Sequence, residues 1–346
     1  MVARLLAWYR AARRVLPWRG EADPYRIWVS EVMLQQTRAE AVASHYERFL
    51  ARFPDVRALA SASREEVLAT WAGLGYYRRA HMLHDAARQI VDRHQGRWPR
   101  DFAAILRLPG VGDYTAAAVA SIAFDQPRAA LDGNAVRVLA RLSNEGRPVR
   151  LAPARSALKS IAESMAAAVP VGRRGAFTQA LMELGATVCV PRAPRCDGCP
   201  WALDCRGLAA GTAADLPSKR ARKPPRNVEV SVAIVRRADR VLVRQRGSDA
   251  AIMPGFWELP TVEGPLAALS RAGNLSLAGI RCLGGFSHAI TDTRHACRVY
   301  EGRVGREPGG AYRWIDLDRL QRLPLTTISR KALRLASGRR GASGPG

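Results

Sequence analysis

The sequence predicts a multidomain chain of α and α+β class: an all-α region to about residue 205, then a smaller α+β domain. Three observations carry this. Apolar residues recur at helical spacing from Ala3 to Cys205. Between 206 and 227 the pattern gives way to Gly, Ala, Pro and clustered cations. From Val228 onward, short apolar runs alternate with a period of two. At 346 residues the chain has room for about two independent cores.

The helices follow in order. Leu5, Trp8, Ala12 and Val15 form a first apolar face; Tyr25, Trp28, Val29, Val32 and Met33 a second; Ala41, Val42, Tyr46, Phe49 and Leu50 a third. Ser63, with Glu66 three residues on, is a capping box that opens a helix through Val67, Leu68 and Trp71. Gly73-Leu74-Gly75-Tyr76-Tyr77 closes it. Further helices are expected over 78–94, 102–108, 114–124, 134–142, 154–169 and 175–189, making about ten in all. No internal repeat stands out.

Within this run, Phe102 to Arg137 organises the rest. Two apolar helices meet at Leu108-Pro109-Gly110-Val111-Gly112. Pro109 stops the first, since it disfavours a helical Leu108 and donates no amide hydrogen. Gly110 and Gly112 allow positive φ and leave backbone N–H groups uncovered. A glycine turn feeding a helix N-terminus suits one phosphate, because the unpaired amides and the dipole both favour an anion. A plain helix–turn–helix corner would look the same in sequence.

Residues 206–227 read as an extended linker carrying Lys219, Arg220, Arg222, Lys223 and Arg226. Val228, Val230, Val232 and Ile234 then mark a strand, Ala238-Asp239 a turn, and Val241-Leu242-Val243 its partner. Strand-like runs at Ile280–Leu283, His295–Tyr300 and Tyr312–Ile315 precede one helix near Thr327–Leu335. The second domain thus spans 228–336, and the Gly/Arg-rich tail 337–346 is expected to be disordered.

Net charge is +24, from 54 Lys and Arg against 30 Asp and Glu. That excess points to a polyanion, and its being mostly Arg suits bidentate phosphate contacts. A GC-rich, bacterial-looking coding bias explains part of it. No apolar run approaches the ~18 residues of a spanning helix, so no membrane partner is expected. The N-terminus lacks a secretory h-region. An Arg-rich mitochondrial presequence is the other reading of it, although Leu16-Pro17-Trp18-Arg19 already looks like mature sequence. A cytoplasmic, nucleoid-associated monomer follows as the expectation, with six reduced or metal-bound cysteines.

Cys189, Cys196, Cys199 and Cys205 place four thiols within seventeen residues, enough for a tetrahedral metal or a cubane cluster. Zinc sites usually pair two C-x-x-C knuckles, whereas only one close pair is present. Cys282 and Cys297, in the β-rich region, read as buried small hydrophobes.

The cysteine spacing resembles the [4Fe–4S] loop of the endonuclease III superfamily of DNA glycosylases, and the 108–112 hairpin resembles its helix–hairpin–helix anchor. Within that superfamily, the run from Asp23 to Thr37 is similar to the adenine DNA glycosylases, the MutY family. So are Leu16-Pro17-Trp18-Arg19, Gly73-Leu74-Gly75-Tyr76-Tyr77 and Leu131-Asp132-Gly133-Asn134. The likeness is dense from Trp8 to Cys205 and thinner beyond. It implies a glycosylase region over 1–205, divided into a helix–hairpin–helix part near 21–124 and an iron–sulfur part from 1–20 plus 125–205.

Releasing adenine breaks a C–N bond whose leaving group is poor until protonated. The sugar gains oxocarbenium character that a carboxylate can stabilise by several kcal/mol. Glu31 lies among Val29, Val32, Met33 and Leu34, where burial would raise its pKa as a proton donor requires; a solvated helix position is the alternative. The resemblance makes Glu31 the acid and water activator, Asp132 the stabiliser or transient nucleophile, and Asn134 the residue that orients the pair. Asp132 also reads as an Asp-Gly turn or as the cap of the helix beginning near Ala135. Tyr114 stands where bifunctional relatives carry a Schiff-base Lys, so base hydrolysis with little strand cleavage is expected.

The target base must leave the stack, at roughly a few kcal/mol. The resemblance makes Gln36 and Tyr76 the wedges, places Thr37 and Leu74 beside the opposite base, and puts Trp18 and Arg19 in the adenine pocket. It also gives Gln179 the adenine edge and Gly110 and Gly112 the phosphate anchor; for Tyr77, core packing is preferred. Met253-Pro254-Gly255-Phe256-Trp257-Glu258-Leu259-Pro260 gives the second domain the look of a Nudix fold. A single acid, Glu263, between Thr261 and Gly273 argues against Nudix catalysis. The domain is then a reader of 8-oxoguanine opposite adenine through a loop at Phe286-Ser287-His288. The partner is duplex DNA with an adenine:8-oxoguanine or adenine:guanine mismatch. A thymine or uracil mismatch glycosylase and a non-catalytic iron–sulfur damage sensor are the rival readings.

Overall fold

Helix α1 (Val2–Ala12) packs Leu5, Leu6 and Tyr9 inward and stops there, so Val15 lies beyond its end and is 100% exposed, against the expectation that it extends the apolar face. The computed structural model describes residues 1–218, 224–247, 250, 252–269, 275–290, 292–305 and 309–340. Two units are distinguished, Met1–Ala221 and Arg222–Gly346.

In the first unit α2 (Pro24–Leu34) is the central helix. Asp23 caps it by accepting from the Tyr25 amide, and Pro24 fits the first helical position, where no amide is needed. Every residue from Ile27 to Met33 is buried, so α2 is enclosed on all sides, which one apolar stripe would not allow. Helix α3 (Ala39–Arg52) follows, then α4 (Val56–Ser61), then α5 (Arg64–Trp71) with the expected Ser63–Glu66 capping box. Helix α4 has too few residues for a periodic signal; Asp55 starts it by accepting from the amides of Arg57 and Ala58.

Helix α6 (Arg78–His94) leads to α7 (Phe102–Leu106), the glycine turn and α8 (Asp113–Ile122). Gly110 has φ +72°, and a Cβ there would stand 2.5 Å from Met82 Cβ. Gly112 differs from expectation: its φ is −98°, within reach of any residue. It caps α8 with nothing within 4 Å of a Cβ position, leaving the helix N-terminus open.

Helices α9 (Gly133–Ser143), α10 (Ala152–Ala167) and α11 (Arg174–Thr187) share one core with α1 and Trp201. Two short 3-10 turns, Cys196–Gly198 and Ala202–Asp204, precede α12 (Arg206–Ala209). The stretch 206–227 is therefore not one extended linker. It begins in a helix and ends inside a strand at Arg226, while Lys219, Arg220, Arg222 and Lys223 lie outside the described residues.

The second unit holds β1 (Arg226–Arg237), β2 (Arg240–Gln245), β3 (Trp257–Glu258), β4 (Thr261–Glu263), β5 (Leu277–Ile290), β6 (Thr293–Val304) and β7 (Tyr312–Asp316). Two helices follow, α13 (Leu317–Arg322) and α14 (Thr327–Arg340). The sheet runs β3-β2-β1-β6-β5, with β4 also on β1 and β7 also on β2, and β1 lies parallel to β6. Val230 to Val235 are buried consecutively because both faces of β1 are covered. Val230, Val232 and Ile234 meet Ala332 and Ala336 of α14, while Ala233 and Val235 meet Leu269 and Leu275. Helix α14 continues past Ser337, so residues 337–340 are helical rather than a disordered tail, and 341–346 lie outside the described residues. No helix among the described residues is long and apolar enough to cross a membrane.

Candidate active site

Glu31 is 4% exposed, which excludes the solvated reading of its helix position. The neighbouring wall is α8, whose second residue is Tyr114. The Tyr114 hydroxyl donates to Glu31 Oε2 and also lies 3.3 Å from Met182 Sδ. Burial pushes the Glu31 carboxyl up to about 7; the Tyr114 bond and the Arg19 charge pull it back, and Asp132 raises it slightly. Burial, Glu31 and Asp132 keep Tyr114 well above the ordinary phenol value. A carboxyl near 7 donates and recovers a proton at neutral pH.

Asp132 is the N-cap of α9 and lines the same cleft as Glu31 and Tyr114. Its carboxylate accepts from the Ala135 amide at 2.7 Å and from Asn134 Nδ2 at 2.8 Å. Burial raises its pKa, and those two bonds oppose the rise. Asn134 Oδ1 accepts from Arg137 Nη2 at 2.7 Å, and Arg137 Nε reaches the Cys189 carbonyl at 2.7 Å. Asn134 thus orients Asp132 from the side of the cysteine loop, while Tyr114 orients Glu31.

Trp18 and Arg19 line the cleft, Trp18 standing edge-on to Tyr46. Gln36, Thr37, Gly110 and Gly112 line it as well. Tyr76 is 58% exposed and belongs to a neighbouring loop. Leu74 is buried, as are Tyr77 and Gln179. Gln179 accepts from the Tyr9 hydroxyl at 2.7 Å, and neither Gln179 nor Leu74 is among the cleft's lining residues. Both lie behind the cleft wall in this DNA-free structure.

Cys189, Cys196, Cys199 and Cys205 line one cavity. Arg141, 1% exposed, donates to Cys189 Sγ at 3.3 Å and to the carbonyls of Val190, Pro191 and Leu216, fastening the loop. Burial pushes the Cys199 thiol up to about 11 and also raises Cys196. No three His, Cys, Asp or Glu side chains among the described residues are grouped to hold a single metal ion.

In the second unit Phe286, Ser287 and His288 lie within strand β5, not in a loop, opposite Cys297, Ala296 and His295 of β6. Lys331 Nζ sits 5.6 Å from the Phe286 ring centroid and 3.4 Å from His288 Nδ1. Burial, Lys331 and His295 lower the His288 pKa. Cys297 is buried, but Cys282 is exposed beside the irregular pairing at Cys282/Gly284, against the expectation of burial. Glu258, 3% exposed, is taken by Arg244 at 2.8 Å and Arg246 at 2.6 Å.

Residues 29–161 match the HhH-GPD superfamily of base excision DNA repair proteins, and residues 231–335 match the NUDIX domain. The human protein named adenine DNA glycosylase is 33% identical over 96% of this chain and 73% of its own length. The mouse protein of that name is also 33% identical, over 96% of this chain and 77% of its own. The chain belongs to the adenine DNA glycosylase family. Among solved structures, a thermostable thymine-DNA glycosylase is 33% identical, with a TM-score of 0.55 over 60% of this chain and 95% of its own. An endonuclease III–DNA complex, 20% identical with a TM-score of 0.50 over 61% of this chain and 94% of its own, shares the helical fold.

Two features of this adenine DNA glycosylase family member are not legible as motifs. Glu183, with no side-chain exposure, binds Arg14 Nε at 2.7 Å and Arg19 Nη2 at 2.7 Å. Its only sequence signal is a position one turn beyond Gln179, on a helix that looks entirely apolar there. Gly185 lets α11 cross α9 closely: a Cβ would lie 2.6 Å from Asn134 Cβ and 2.8 Å from Asn134 O. Gly185→Ala is expected to displace Asn134 and with it Asp132. The expected result is a fall in single-turnover rate of about 10²-fold and a stability loss of about 1–3 kcal/mol. Kinetics and denaturant titration of the purified variant check both; an unchanged rate with lowered stability would detach Asn134 from the reaction.

Proposed function

We propose that this chain hydrolyses the N-glycosidic bond of adenine mispaired with 8-oxoguanine, or less readily with guanine, in duplex DNA. The observation that carries the reading is the buried Glu31–Tyr114 pair facing the same cleft as Asp132. Glu31 delivers its proton to an adenine ring nitrogen while the C–N bond breaks and its electron pair leaves with the base. Asp132 balances the positive charge that develops on the sugar. Water then adds to the anomeric carbon, and its proton returns to the Glu31 carboxylate. The abasic site is left intact, because a phenol at position 114 cannot form the Schiff base that strand cleavage needs.

The acid at Glu31 favours a purine over thymine or uracil, whose rings carry the departing charge without protonation. The human and mouse adenine relatives also align with 96% of the chain, whereas the thymine-DNA glycosylase structure covers 60%. The four cysteines around one cavity supply the sulfur donors a [4Fe–4S] cluster requires; bound there, it would organise the 189–205 loop and take no part in base release. In the second unit, Ser287 and its neighbours on β5 would read the oxidised base opposite adenine.

Single-turnover release from a duplex carrying one adenine:8-oxoguanine pair tests the reading, with alkali omitted from half the samples. Adenine release with strand breakage only after alkali is the expected result. Release of a mispaired thymine or uracil instead would keep the fold and replace the substrate. Mismatch binding without release by cluster-replete protein would favour a damage sensor.

A further inference from the structure

Arg79, in the first turn of α6, is half-buried and has no acidic partner among the described residues. Its guanidinium instead faces six neutral acceptors. Nη1 donates to the carbonyls of Val32 at 2.8 Å, Met33 at 2.9 Å and Gln35. Nη2 donates to Thr37 Oγ1 at 3.2 Å and to the carbonyls of Leu74 and Gly75, both at 3.3 Å. The guanidinium carbon also lies 5.4 Å from the ring centroids of both Trp71 and Tyr76.

These acceptors belong to two segments far apart in sequence: the end of α2 with its following loop, and the loop before α6. Each contains a non-glycine residue in the left-handed region, Gln36 at φ +60° and Tyr76 at φ +47°. Such backbone persists only where its surroundings over-determine it. The C-terminal carbonyls of α2 carry the negative end of its dipole, which suits a cation. A planar fork can serve several acceptors and stack on rings at once; an ammonium cannot.

We infer that Arg79 is a positioning residue that ties the Gln36–Thr37 and Leu74–Tyr76 loops into one rigid wedge, which holds the duplex open while the target base is out of the stack. It touches neither the base nor the bond that breaks. The inference rests on the glycosylase reading given above.

The test compares two duplexes with Arg79→Lys and Arg79→Met, each under single-turnover conditions at saturating protein. In one, adenine faces 8-oxoguanine. In the other it faces an abasic-site analogue, where no pair has to be broken and the gap already exists. Both variants are expected to lose about tenfold or more on the paired duplex and less than about threefold on the unpaired one, since the missing function is extrusion. With 2-aminopurine at the target position of the paired duplex, the fluorescence rise on binding should shrink in parallel. Arg79 also holds Val32 and Met33 beside Glu31, so equal losses on both duplexes would mean that Glu31 has moved, and would overturn the inference. Full activity on the paired duplex would overturn it too. If the Met variant does not fold, the Lys variant, which keeps charge and length, reads the same comparison. Wild-type protein that releases adenine from neither duplex would instead sink the glycosylase reading, and the inference with it.

Discussion

Glu31→Gln lowers the rate of adenine release by about 10²- to 10⁴-fold, the range for loss of a general acid, and at the same time stabilises the folded protein at pH 8. Gln keeps an acceptor for the Tyr114 hydroxyl but has no proton to give. The stability change follows from burial, which raises the carboxyl from 4.5 to about 7 in the folded state. The unfolded chain releases this proton more readily, so wild-type stability falls as pH rises from 4.5 through 7 and is level above that. Each tenfold difference in proton affinity between the folded and unfolded chain is worth about 1.4 kcal/mol. The penalty removed by Gln is therefore on the order of 3 kcal/mol at pH 8 and much smaller at pH 5. Denaturant titrations of both proteins at the two pH values measure it, and a gain equal at both would show that Glu31 is not the titrating group. In the wild type, the rate should fall about tenfold for each further pH unit above 7, as the protonated fraction does.

Glu183→Ala produces the opposite pattern. Removing this carboxylate leaves Arg14 and Arg19 without their buried partner, at a cost of about 3–5 kcal/mol. The Arg14 bonds and the Arg19 charge hold the Glu183 carboxyl below its ordinary value despite burial. Its contribution is therefore present above pH 4.5 and is lost as pH falls through the lowered folded-state value. The kinetic consequence passes through Arg19, whose charge lowers the Glu31 pKa. Without Glu183 to offset it, that charge should move the upper limb of the pH–rate profile to lower pH. Melting curves and a pH–rate profile of the variant check both, and Arg14→Ala, which leaves the Arg19–Glu183 pair in place, should shift the limb less.

The parts of the site set by local chemistry were legible in sequence. Pro109 and Gly110 announce the turn, Asp132 announces a cap, and Glu31 among apolar neighbours announces a perturbed carboxyl. What sequence could not show depends on close approach between distant segments. Glu183 is an acid in an apolar run until α11 is laid beside Arg14 and Arg19. Gly185 is an ordinary helical glycine until α9 crosses it, and nothing in the sequence pairs Gln179 with Tyr9. Helix α4 escaped because its six residues are too few to show a period. Strand β1 was read from the alternation of Val228, Val230, Val232 and Ile234, which under-describes a strand covered on both sides.

Strand β5 acts as a partition. Successive side chains leave it in opposite directions, so Phe286 and His288 are joined through Lys331 to α14, while Ser287 emerges on the far side with the exposed neighbours Gly285 and Ala289. The three consecutive letters are thus two surfaces back to back, one exposed and one half-buried beside Lys331. A ligand standing on the exposed side meets Ser287 together with Gly285 and Ala289. A change at His288 or Phe286 would reach such a ligand only as a tremor through the sheet, altering how firmly the platform stands rather than what it touches.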